Sequence, residues 1–70
     1  MNFSEALKAM KMGSKVSREA WRGKISYCAI VEEPHTHKTV ISKYMPDGSR
    51  TILGLIDSDD ILADDWWLVT

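Results

Sequence analysis

The sequence predicts a small α+β fold: an antiparallel sheet of about five strands, with an N-terminal helix and a short C-terminal helix. Three observations predict it. Apolar residues recur at helical spacing at the start of the chain. Short β-rich runs, separated by turn residues, fill the middle. An acidic segment that can start a helix then precedes a last apolar run, "WWLV". With 70 residues, the chain is read as one domain spanning 1–70.

The first helix rests on Phe3, Ala6, Leu7 and Met10, which share one face of an α-helix, while Lys8 and Lys11 point elsewhere. "NFSE" forms a capping box, with Asn2 as N-cap and Glu5 three residues on. Gly13 is the expected stop, because a left-handed residue past the last turn satisfies the final carbonyls. "SKVSR" is then a strand or extended segment, and Trp21 follows in a tight connection turned by Gly23.

Three strands come next: "KISYCAIV", "KTVISKYM" and "RTILGLI". In the second, Val40, Ser42 and Tyr44 take one face; Thr39, Ile41, Lys43 and Met45 take the other. "PDGS" joins the second to the third as a hairpin, since proline, aspartate and glycine each meet a turn requirement. "EEPHTH" is a wider loop between the first and second. "DSDDILADD" is a short helix, capped by Asp57 or Ser58, whose acidic residues suit the positive end of its dipole. "WWLV" closes the chain as a strand. Neighbouring tryptophans in a strand face opposite sides, so one of Trp66 and Trp67 is core and the other needs a partner.

Charge is nearly balanced overall, at −1, but unevenly placed. Residues 1–31 sum to +4, residues 32–45 to zero and residues 46–70 to −5. A duplex binder wants a broad basic surface, so no long nucleic acid is expected. The pattern suits a small anion near the first half, or head-to-tail pairing of subunits. A single core of this size supplies no more than about 3–5 kcal/mol. Cys28 is the only cysteine, so no disulfide forms within one chain, and its apolar run "ISYCAIV" makes it a small buried hydrophobe. Self-association is the remaining way to finish the core. No stretch is apolar enough for a signal peptide or a membrane span, so a cytoplasmic protein is expected.

The motifs for catalysis and metals fail. His35 and His37 in "HTH" lack the further Cys or His ligands of a structural zinc site. "DSDD" lacks the glycine and terminal glutamate of a calcium loop. No phosphate-binding glycine loop is present, and nothing pairs Cys28 with a base. No enzyme activity, no metal and no cofactor are expected.

"REAWRGK", residues 18–24, holds the functional signal: Trp21 stands among Arg18, Arg22 and Lys24. One reading makes Trp21 core and the cations a solvated rim, with Arg18 paired to an acidic C-terminal residue. The other makes ring and cations a binding site, because a ligand with a π-face and phosphates needs both. In that reading the short connection is a poor place for a core anchor, and Trp21 is free to stack.

Three segments frame both ends of the chain. They are Met1, Phe3, Glu5, Ala6 and Leu7; then Gly13, Val16, Arg18, Trp21 and Gly23; then Leu62, Ala63, Asp65 and Trp66. In order and spacing they resemble the type II Thoeris anti-defence family, small phage and prophage proteins also met as a domain of unknown function. The stretch between the first long strand and the last is shorter here than in many members. The resemblance implies a molecular sponge. Such a protein binds a cyclic nucleotide immune signal, such as glycocyclic ADP-ribose or a cyclic di- or trinucleotide, and holds it intact. It also implies a homo-oligomer, a tetramer with ligand pockets where subunits meet, and a base-stacking role at Trp21. Arg22, Lys24 and Arg18 are then the cations expected at the ligand. Two other classes use the same residues: a protein-interaction module acting through an exposed tryptophan, and a weak single-strand nucleic-acid binder.

Overall fold

Helix α1 forms because its first turn is closed on both sides by side chains. The computed structural model describes residues 1–52 and 58–69. In it α1 spans Phe3–Lys11. The Glu5 amide donates to Asn2 Oδ1 at 2.9 Å, and the Asn2 amide donates to Glu5 Oε1 at 3.0 Å, completing the capping box. At the other end Gly13 takes φ +93°, and the Gly13 and Ser14 amides donate back to Met10 and Ala9. This left-handed conformation is one that glycine alone adopts without penalty, so the helix ends there.

Five strands follow: β1 (Lys15–Arg18), β2 (Tyr27–Glu32), β3 (Thr39–Tyr44), β4 (Arg50–Ile52) and β5 (Trp66–Val69). They form one antiparallel sheet in the order β4-β3-β2-β1-β5. The β3–β4 hairpin closes through "PDGS". The Met45 amide donates to the Ser49 carbonyl at 2.9 Å, and the Ser49 amide and hydroxyl both donate to Asp47 Oδ1. Between β2 and β3, the Glu33 carboxylate accepts from the His35 and Thr36 amides. Those bonds hold its pKa below the usual range. Helix α2 covers Ser58–Leu62, so Ser58 lies inside it. The expected continuation of β4 over Leu53–Ile56 and the alternative cap Asp57 fall outside the described residues. No described helix is long and apolar enough to cross a membrane.

The core lies between α1 and one face of the sheet. Ala6 and Met10 from the helix meet Val16, Cys28 and Trp66 from the strands, with Phe3, Leu7, Ile30 and Ile41 packed around them. Register sorts the two faces. Val16 pairs with Cys28 and Leu68, and Arg18 pairs with Trp66, so these residues share the helix side. Ser17 pairs with Trp67 on the other side, with Tyr27, Tyr44 and Val40. Trp66 is therefore the core member of the pair, 2 % exposed, and Trp67 is the outward one, 46 % exposed. Cys28 is buried as the sequence suggests, and burial pushes its thiol up to about 12.

Candidate functional site

Trp21 is a core residue, which corrects the expectation of a free stacking ring. The turn after β1 is a short 3-10 helix, Glu19–Trp21, continued by Gly23 at φ +80°. The Lys24 and Ile25 amides donate to the Trp21 carbonyl at 2.8 and 3.1 Å. This tight winding turns the indole inward, where it is 8 % exposed and packs edge-on against Trp66, ring centroids 5.1 Å apart. Lys43 Nζ covers its ring at 5.3 Å. Phe3 flanks Trp66 at 5.5 Å. The connection is thus an anchor because it delivers its ring to the last strand.

Arg18 takes the alternative the sequence left open. Its Nε donates to Asp65 Oδ1 at 2.7 Å and its Nη1 to Asp60 Oδ1 at 2.5 Å. Asp65 also accepts from the Ala20 amide at 3.1 Å. The hydrogen bond from Arg18 holds the Asp65 carboxyl below its ordinary value, and the same pairing raises Arg18. Asp60 is buried, and its backbone carbonyl accepts the Trp66 Nε1–H at 2.9 Å. Arg18 therefore ties α2 and the start of β5 to β1.

An open cleft of about 180 Å³ lies beside this network. Ser17, Arg18, Glu19 and Arg22 form one wall along the end of β1 and the 3-10 turn. Gly23, Ile25 and Ser26 continue the lining toward β2, Trp67 enters from β5 beside its cross-strand partner Ser17, and Pro46 enters from the turn after β3. Arg22 is 80 % exposed and pairs with Glu19 at 2.8 Å. Lys24 is exposed on the same turn but does not line the cleft. Of the four residues expected at a ligand, the structure brings Arg18 and Arg22 to the cleft and leaves Trp21 and Lys24 out of it. It adds Trp67, which the sequence placed only as one of two candidates for exposure.

The cleft contains no nucleophile paired with a base. Cys28 lies in the core as a thiol, away from it. His37 pairs with Glu32 in the distant loop, Nδ1 to Oε1 at 2.9 Å. Among the described residues no group of three or more His, Cys, Asp or Glu side chains is placed to hold a metal ion. The arrangement offers a half-exposed ring at Trp67, an accessible guanidinium at Arg22 and the exposed Ser26.

A family model matches residues 1–69: Tad2-like, the Thoeris anti-defense 2-like domain. No curated protein matches the chain.

Proposed function

The chain belongs to the Thoeris anti-defense 2-like domain family, and on that premise we propose that it is a sponge that sequesters a cyclic nucleotide immune signal without degrading it. Glycocyclic ADP-ribose or a cyclic oligonucleotide is the proposed cargo. The observation that carries this reading is Trp67 standing 46 % exposed on the same cleft as Arg22. A nucleobase stacks on the first and a phosphate takes the second. Arg18 lines the wall but is already satisfied by two carboxylates. The exposed Lys24 adds positive charge nearby. The reading is binding without turnover, and it is supported by a lining that pairs no nucleophile with a base.

The cleft of one chain, about 180 Å³, falls short of the roughly 300–1,000 Å³ of ordinary small-molecule sites. A cyclic dinucleotide would overhang it. We therefore assign the rest of the site to a second copy of the chain, within a homo-oligomer, a tetramer. The small core, six buried apolar residues among those described, favours the same assembly. Light scattering after gel filtration is expected to give a dimer or tetramer, and a monomer near the 7.9 kDa chain mass overturns the shared site. Mass spectrometry of small molecules released from heat-denatured protein tests the cargo. A cyclic nucleotide recovered intact supports the sponge; a linear product shows turnover.

Trp67→Ala is expected to weaken nucleotide binding by roughly 1–3 kcal/mol, one lost stacking platform, or about one to two decades in Kd. The melt stays unchanged because the ring is outside the core. The rival reading, a protein-interaction module, would use the exposed Trp67 itself as the anchor. It requires the same variant to lose a protein partner while no nucleotide is released from the wild type.

A further inference from the structure

The cleft has two guanidinium groups, and they are in opposite states. Arg18 is committed: three of its nitrogens reach Asp60 and Asp65, and pulling it away would strand the buried Asp60 carboxylate. Among the described residues Arg22 is held only by Glu19, one 3-10 turn earlier. Its Nη2 lies 2.8 Å from Glu19 Oε1 and 3.1 Å from Oε2. Both side chains are largely exposed, at 80 % and 56 %. An ion pair of this kind contributes little and exchanges readily. Yet the backbone under it is fixed, since the Glu19 amide donates to the Asp65 carbonyl at 3.2 Å and the Arg22 amide to the Glu19 carbonyl at 3.3 Å. The carboxylate therefore stays within reach of Arg22 however often the pair opens.

Resting on the cleft as the nucleotide site, we propose that Glu19 is a built-in competitor for the ligand's phosphate. In the empty cleft its carboxylate occupies Arg22. A phosphoryl group, with more oxygens and a geometry that matches the guanidinium fork, displaces it. The displaced carboxylate then remains beside the bound anion and repels further charge. Asp60 and Asp65 already neutralise Arg18, so Arg22 is the lining cation left to an anion, with the Glu19 carboxylate beside it. The cleft thus accepts a ligand that brings one phosphoryl group to Arg22 and disfavours one that crowds several there. Glu19 is a specificity determinant by repulsion, which is how like charges exclude wrong partners at low cost to the right one.

The test titrates inorganic phosphate into wild type and Glu19→Gln, following the backbone amide resonances of Gly23 and Lys24, which every variant keeps. Glu19 is exposed, so the variant keeps the fold. The expected result is phosphate bound roughly two- to fivefold tighter by Glu19→Gln, the strength of an exposed ion pair expressed as a ratio. The gain disappears when Arg22→Gln is added. Equal or weaker phosphate binding by Glu19→Gln overturns the proposal, as does a gain that survives without Arg22. Cyclic di-AMP, titrated in parallel, separates this from the nucleotide reading. Tighter phosphate with no dinucleotide binding to either protein leaves Glu19 as competitor and removes the nucleotide site. Dinucleotide binding that ignores Glu19→Gln, beside unchanged phosphate binding, keeps the site and removes the competitor.

Discussion

Trp21→Ala is expected to destabilise the domain by about 3–5 kcal/mol, the cost of emptying a large aromatic site in a core. The ring is 8 % exposed and meets Trp66 edge-on at 5.1 Å, with Lys43 above it. Alanine removes that contact and leaves Trp66 without its neighbour. A core of this size supplies no more than about 3–5 kcal/mol, so the loss equals the whole margin. A thermal melt beside near-ultraviolet circular dichroism checks it: the transition collapses and the aromatic signal goes with it. A ligand-contacting, non-structural Trp21 would instead leave the melt in place and abolish binding. The comparison with Trp67→Ala is decisive, because the two variants remove the same side chain from opposite sides of the sheet.

Arg18→Ala is expected to be as damaging, by about 3–5 kcal/mol, for a different reason. Nothing large is emptied. Asp60, 4 % exposed, is left buried with no cation to face its carboxylate. Through its carbonyl the same residue holds the Trp66 indole, so α2 and the start of β5 loosen together. Denaturant melts at neutral pH measure the loss. They also reveal a change in acid sensitivity. Arg18 holds Asp65 below its ordinary pKa. That contribution is therefore present above the unfolded carboxylate value, near pH ~4, and is lost as the pH falls through the lower folded value. In Arg18→Ala this part of the acid limb flattens. A variant that keeps both its neutral stability and its acid limb shows that the network carries no weight.

Local structure was legible because local chemistry determines it. Asn2 and Glu5 close the first turn of α1, Gly13 ends it, and "PDGS" turns the β3–β4 hairpin, each through contacts within a few residues. The helix face of Ala6 and Met10 follows from spacing alone. Trp21 was not legible, because a tryptophan in a turn has no periodicity to say where it points. Its burial depends on Trp66, brought beside it by the pairing of β1 with β5. The choice between Trp66 and Trp67 depends on the same register, Arg18 opposite Trp66, and strand order cannot be read from alternation. Of the site, the sequence located the stretch and its cations. It assigned the ring to Trp21 where the cleft has Trp67.

The placement of β5 has a consequence for the order in which the molecule assembles. Arg50 and Tyr44 find each other across a turn of a few residues, whereas Arg18 and Trp66 pair across about fifty positions. Closing the longer loop costs about 2 kcal/mol more in chain entropy before any contact repays it. The β2-β3-β4 meander is therefore the early, local part of the pathway, and docking of β5 is the late step. That step delivers Trp66, to which Trp21 and Phe3 both pack. During synthesis, α1 and four strands emerge from the ribosome before the residue that joins them into a core. Until it arrives, Trp21 is a solvated ring on an unfinished edge, a species suited to chaperones rather than to nucleotides.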